Sequence, residues 1–378
     1  MKTLLGLLFC LFLGSACAQP LALSHARLID GTGAPPRDDV TLLLRDGRIE
    51  AIQPAGPLPA GYREVNLKGL TILPGFINAH VHGAYTSQNL KDWLQGGVTS
   101  VRDLGTEGQL ENGLERNALK QASGHARLIA ATPLIGPAGG YGSVFVNSKA
   151  EGIALVERAH RLGYDLIKLT QEDNLQGRNW QVLPPDTARA MASRARALGM
   201  PVAVHISHAR LLPQALDIGA TDFAHMVVEP LPMPLAERIA AQGIIWVPTL
   251  ELWQGVQQRH GINWGDVAVA NTGVFFRTGG KIALGTDFGG YITPFDRGFP
   301  RTEVLLLQKA GLAPMDIIVA GTRNAAEASG RLADLGTIEP GKRADLLVVS
   351  GDPLADIRAL FTPAQVWLGG EQVRPAGR

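Results

Sequence analysis

The stretch "TILPGFINAHVHGAY", residues 71–85, decides how the fold is read. An apolar run ends on two histidines, His80 and His82, one residue apart. Side chains alternate across a strand with period two, so these two share a face and Val81 points away from it. Imidazole is the commonest metal ligand among side chains, and two on one face can hold one ion. The same spacing also suits a pair of hydrogen-bonded strand histidines, so the pair needs partners elsewhere in the chain.

Beyond residue 85 the chain alternates. Strand-like runs are "TSVRDL", "ARLIAATPLIG", "YDLIKLT", "PVAVHI", "TDFAHM", "IIWVPTL" and "KIALGTD". Helical patterns such as "KAEGIALVERAHRLG", "DTARAMASRARALGM", "ARLLPQALDIGA" and "PLAERIAAQG" lie between them, several with a glycine just before the next strand. With the run at 71–82 this predicts eight β/α units, an α/β chain with a (β/α)8 TIM barrel over 71–334.

In such a barrel the reactive groups sit at the C-terminal ends of the strands. Those ends carry His80 and His82, Lys168, His205, His225 and Asp287. Each has a plain explanation alone. A strand-end histidine can be a satisfied polar residue, Lys168 can snorkel, and Asp287 can cap a helix. Six potential ligands at the ends of five strands are not required by packing, and the joint pattern points to a metal centre. His25, His125, His160, His208 and His260 fall in flanking segments, helices or loops and are read as structural or surface residues.

Outside the barrel, residues 21–70 read as short strands and turns, with Asp46-Gly47 as a hairpin signal. The C-terminal stretch is similar, with Gly369-Gly370 as its tight turn. Neither piece can bury a core alone, so 19–70 and 335–378 are expected to pair into one small β-sandwich domain. The 378 residues suit a barrel of about 250 residues plus such a module.

Apolar residues make up 46% and charged residues 18%, a globular balance. Lys+Arg number 35 and Asp+Glu 34, so nothing favours nucleic acid or an anionic membrane as a partner. The expected partner is a small-molecule substrate, with a homo-oligomer left open. Residues 1–18 read as a signal peptide: Lys2, the apolar core Leu4–Leu13, then Ala16-x-Ala18. Cleavage after Ala18 predicts an exported, periplasmic or secreted protein. Both cysteines, Cys10 and Cys17, lie in this segment, so no disulfide framework is expected. "LGSAC" partly matches a lipobox, in which Cys17 would be lipidated and tie the protein to a membrane; Gly14 favours simple cleavage.

The pieces "LPGFINAHVH", "GGVTSVRDLG", "DLIKL", "VAVHISHARLLPQALDIGATDFAHM", "ALGTDFG" and "GTRNAAEASGRLADLGTIEPGKRADLLVVSGDPLADI" resemble the amidohydrolase superfamily over nearly the whole mature chain. The branch most resembled holds Xaa-Pro dipeptidases, ochratoxin-type amidases and imidazolonepropionases. The resemblance implies two divalent metal ions, zinc by type. His80, His82 and Asp287 would hold one ion, His205 and His225 the other, and a CO2-derived carbamate on Lys168 would bridge them. It also implies that Asp287 shuttles the proton from the attacking water to the leaving amine. The implied activity is hydrolysis of an amide bond in a small substrate such as a dipeptide or N-acyl amino acid. A deaminase, a cyclic-amide hydrolase or a lactonase would use the same centre. Two loops depart from the usual pattern. Tyr141, in "GPAGGYGS", stands where relatives often have histidine, and either bonds the substrate carbonyl or lines the pocket. Arg297 and Arg301, in "FGGYITPFDRGFPRTEV", are candidates to hold a substrate carboxylate or are ordinary surface residues.

Overall fold

The computed structural model describes residues 19–374 except 107, 111, 112 and 176. The signal segment with Cys10 and Cys17 lies outside the described residues. Among those described, no helix is long and apolar enough to cross a membrane.

The run read as one strand over 71–82 is two strands. Leu70–Pro74 pairs with Leu346–Ser350 and with Leu21–Leu28. Phe76–Val81 pairs in parallel with Val98–Asp103 in a different sheet. Gly75 is the crossing point, and the reason is space. A Cβ there would lie 2.2 Å from the Thr99 hydroxyl oxygen, far inside contact distance. The chain therefore passes from the flanking sheet to the α/β body at Gly75.

The N- and C-terminal segments interleave. Their strands form one eight-stranded sheet in the order Glu371–Arg374, Pro363–Leu368, Leu346–Ser350, Leu70–Pro74, Leu21–Leu28, Arg37–Arg45, Arg48–Pro54, with Arg63–Asn66 beside Leu21–Leu28. Hydrogen bonding thus joins into a single sheet what was expected as a sandwich. Both predicted turns close hairpins. Asp46 and Gly47 have φ of 50° and 74°, and Gly369 and Gly370 have 56° and 76°. Such left-handed pairs match the twist of the strands they join. Leu23, Leu42, Ile72, Val348 and Trp367 form a core belonging to this sheet.

The body is a TIM-barrel-like α/β fold. Phe76–Val81, Val98–Asp103 and Arg127–Ala130 form one parallel sheet. Ile167–Thr170, Val202–His205, Asp222–Ala224, Ile245–Val247 and Lys281–Ile282 run in parallel in another, extended by the short strands Ile135–Gly136 and Val144–Phe145. Parallel bridges join Ala131 to Leu166 and Val81 to Phe288. The Ala79 amide also donates to the Leu284 carbonyl at 2.8 Å. The predicted helices are present as Lys149–Arg161, Pro185–Ala197 and Met233–Ala241, while "ARLLPQALDIGA" holds only the short turns Ala209–Leu211 and Leu212–Leu216. Ser148 caps the first of these on the Glu151 amide, and Gly163, Gly199 and Gly243 follow the three in left-handed conformation.

Below the strand ends lies a charged pair that the sequence reading did not mark. Arg102 and Asp222 are both fully buried, with bonds of 2.9 and 2.7 Å between them. Arg102 also donates to the carbonyls of Ala79 and Ala328 at 2.6 and 2.8 Å. A buried ion pair persists only with its remaining hydrogen bonds filled, and here they are. The pair ties strands Val98–Asp103 and Asp222–Ala224 together under the candidate site.

Candidate metal centre

His80, His82, Lys168, His205, His225 and Asp287 all line one cavity of about 840 Å³, together with Tyr141. His80 is the penultimate residue of Phe76–Val81, and His82 follows that strand. The His80 carbonyl accepts from the Thr286 and Asp287 amides at 3.1 and 2.8 Å, which brings Asp287 beside both histidines. His80 Nε2 lies 2.8 Å from Asp287 Oδ1, and His82 Nε2 lies 3.0 Å from the same oxygen.

The ligand atoms of His80, His225 and Asp287 all lie within 4.8 Å of one another. The His225 ring stands 4.7 Å from that of His80 and 4.6 Å from that of His205. The His225 orientation is fixed on three sides. Its Nδ1 lies 2.9 Å from the Thr249 hydroxyl, its amide donates to Val247, and its carbonyl accepts from the Trp246 indole at 2.6 Å. Three of the non-glycine residues at positive φ sit here: His225 at 73°, Thr249 at 50° and Asp287 at 64°. Such conformations cost on the order of 1–3 kcal/mol each and collect at functional sites.

Several of these buried atoms have no aligned hydrogen-bond partner: His80 Nδ1, His205 Nε2, Lys168 Nζ and Asp287 Oδ1. The close approaches to Asp287 Oδ1 are converging contacts, not aligned hydrogen bonds. Buried polar atoms are almost always satisfied. A cluster of imidazole, carboxylate and amine atoms facing one space without partners fits a site for metal ions.

The electrostatics fit the same role. Burial pushes His80 and His225 well below the ordinary histidine pKa, with the Lys168 and His205 charges respectively adding to it. Burial also lowers His205, against the pull of Glu172. Neutral imidazoles with a free nitrogen are the form that binds metal. Burial raises Asp287, but the contacts with His80 and His82 outweigh it and hold its carboxyl well below the usual range. Burial lowers Lys168 to about 7, with Asp222 opposing and Arg102 assisting. Burial disfavours charge on His82 too, yet Asp287 wins and raises it.

Tyr141 belongs to the site. Its ring lies 4.8 Å from His205, and burial with the Asp287 and Glu172 charges pushes its pKa up to about 12, so the phenol keeps its proton. Arg297 and Arg301 are not brought in. They line a separate cavity with Asp92 and Phe361, where Arg297 lies 3.9 Å from Asp92 and Arg301 reaches the Phe361 carbonyl. The chain turns away after Tyr291 before reaching them. His260 departs from its plain reading, because it lines the cavity and meets the Tyr291 hydroxyl at 3.0 Å. His208 keeps a structural role between Glu229 and the Asn174 carbonyl.

Sequence reasoning missed Glu172 and Thr249. Glu172 is buried, bonds the Ser207 hydroxyl and lies 3.4 Å from His205 Nε2. Both follow a barrel strand by two residues, so the strand-end rule that selected the histidines would have selected them too.

The Amidohydrolase family model matches residues 71–373. The chain is 25% identical to the imidazolonepropionase of Solibacter usitatus (strain Ellin6076) over 89% of its own length and 91% of that protein's. It is 24% identical to the 5-methylthioadenosine/S-adenosylhomocysteine deaminase of Moorella thermoacetica, covering 82% of this chain and 80% of the relative. A crystal structure of a Xaa-Pro dipeptidase with bound methionine in the active site superposes with a TM-score of 0.82 at 23% identity, covering 95% and 100% of the two chains.

Proposed function

Because the chain belongs to the amidohydrolase family and is a hydrolase of C–N bonds, we propose that it cleaves an amide-type bond of a small molecule with divalent metal ions held by His80, His82, Lys168, His205, His225 and Asp287. The observation that carries this reading is the convergence of buried, unpartnered ligand atoms on one cavity. The donor set is nitrogen-rich with one carboxylate, which suits zinc. Two ions, zinc and a carbamate on Lys168 belong to the proposal. An ammonium offers no lone pair to a cation. A lysine titrating at about 7 is largely uncharged at slightly alkaline pH, and its amine can add to CO2 to give two anionic oxygens. Eight strands closing into a barrel belong to it too, supported by the bridges at both seams of the two parallel sheets.

Bound there, the ions supply Lewis acidity and lower the pKa of a water. The chain does the rest. Asp287 Oδ takes the proton of the attacking water and delivers it to the leaving nitrogen, so OH joins the carbonyl carbon as the C–N bond breaks. Tyr141 holds a protonated phenol beside His205, placed to donate to the carbonyl oxygen. Thr249 and Trp246 hold His225 in orientation.

The test is amide hydrolysis before and after chelation. Activity should vanish with the metal and return with zinc; full activity in chelated, metal-free protein overturns the reading. The Moorella relative favours a second reading, loss of an amino group, which ammonia release without cleavage of an acyl bond would reveal. Small amides are the substrate class proposed for this site, and the attack on the scissile bond is the same for peptide-like amides as for uncharged ones.

We also propose export, on the strength of Lys2, the Leu4–Leu13 run and Ala16-x-Ala18. Mass spectrometry of the native protein should give Gln19 as its first residue. A lipidated Cys17 or an intact Met1 would contradict simple cleavage.

A further inference from the structure

We infer that the substrate of this site is uncharged and carries a flat apolar group that packs against Trp253 and Trp264; this rests on the hydrolase reading above. The observation is what the cavity wall lacks. Among the described residues that line it, Lys168 is the only lysine or arginine, and Asp287 the only carboxylate. Both stand within the candidate metal centre. The internal residues outside the description are Glu107, Glu111, Asn112 and Gln176, none of them cationic. Arg297 and Arg301, the sequence's candidates for binding a carboxylate, line another cavity. His260 is the one lining histidine outside the candidate ligands, and its Nε2 already meets the Tyr291 hydroxyl. A substrate carboxylate would therefore lose its water and gain no lysine or arginine in exchange, a cost that burial without a partner does not offset.

What the wall offers instead is apolar surface. The helix Leu250–His260 turns Leu252, Trp253 and Val256 to the cavity. Trp264, at the start of the next helix, meets Trp253 edge-on at 5.6 Å and 84°. The Trp253 ring stands 5.8 Å from that of His225, so this surface begins beside the reacting centre. The helix start is fixed: Glu303 accepts the Leu250 and Glu251 amides at 3.1 and 2.7 Å. At about 840 Å³ the cavity is in the range that holds ligands larger than a compact dipeptide. Within the amide class, then, the site selects neutral amides with a flat apolar group such as an aromatic ring. Free-acid dipeptides and N-acyl amino acids are selected against.

A matched pair of probes tests this, 4-methylacetanilide and 4-acetamidobenzoate, which share one scissile amide of similar reactivity and differ in charge. Metal-replete protein should bind the neutral member at least tenfold more tightly, by calorimetry or saturation-transfer NMR, and turn it over with the higher kcat/KM. Trp264→Ala should weaken binding of the neutral probe. Trp264→Lys should narrow the gap or reverse it, by supplying the missing cation. Equal binding, preference for the acid, or failure of either probe to bind while a free-acid amide is hydrolysed overturns the inference and leaves the hydrolase reading standing. If metal-replete protein neither binds these probes nor hydrolyses any amide, the hydrolase reading itself fails.

Discussion

His225 shows how single residues are held at the candidate metal centre. Its backbone is left-handed, its Nδ1 meets Thr249, and its carbonyl is bonded by the Trp246 indole. Partners of this kind orient a ligating imidazole, and losing one typically costs about 10–100-fold in metal affinity. Thr249→Val keeps the shape and removes the hydroxyl. A competing chelator should then strip metal about tenfold more readily, and an unchanged affinity would show that Thr249 does not orient His225. Asp287 is crowded in a similar way. A Cβ on Gly290 would lie 2.3 Å from Asp287 Oδ2, so Gly290→Ala forces the carboxylate or the loop that carries Gly290 to shift. Asp287→Asn should lower kcat by about 10²–10⁴-fold in metal-replete protein, the usual contribution of a positioned acid–base group. Near-normal turnover in that variant refutes the shuttle. The strand-end histidines were legible because strand alternation and barrel geometry select them by type and position. The same rule reaches the positions of Thr249 and Glu172, but their roles were not legible, because a threonine or glutamate acquires such a role only from the neighbour it touches in three dimensions.

At the scale of elements, the helix Leu250–His260 rests on buried acids. Burial pushes both Glu251 and Glu303 up to about 8, against the backbone amides that bond them. Their ordinary value is 4.5, so between there and about 8 the folded chain holds protons that the unfolded chain has lost. A pKa raised by folding gives stability that is present at low pH and lost as pH rises through the folded value. Thermal unfolding should therefore occur at a lower temperature at pH 9 than at pH 6. Glu251→Gln should flatten that dependence, and a Tm that rises over this range would contradict the assignment. Helix positions were legible because 3.6-residue patterns ended at glycines. The break at Gly75 was not legible, because an apolar run reads alike whether it serves one sheet or two. Only the approach of Thr99 shows why the chain changes sheet there.

For the whole molecule, the count of eight strand units could be read from alternation, but the interleaving of the two termini into one sheet could not. That arrangement depends on pairings such as Ile72 with Val348, far apart in sequence. The same limit left Arg297 and Arg301 open between pocket and surface, since a loop's direction is set by packing and not by its spacing from Asp287; both line another cavity. Arg297→Met and Arg301→Met should each leave kcat/KM within about threefold of the parent on any amide substrate, consistent with exposed pairs contributing about 0–1 kcal/mol. A selective loss on free-acid substrates would bring them back to the site. The central claim is that the cluster around His80 and Asp287 is a metal centre. Elemental analysis of protein purified with zinc and bicarbonate tests it most directly, run beside His80→Ala and Lys168→Ala. The account predicts close to two equivalents in the parent and a clear fall in both variants. Metal-free parent protein that hydrolyses amides at full rate, or variants that keep the parent's metal content, would contradict it.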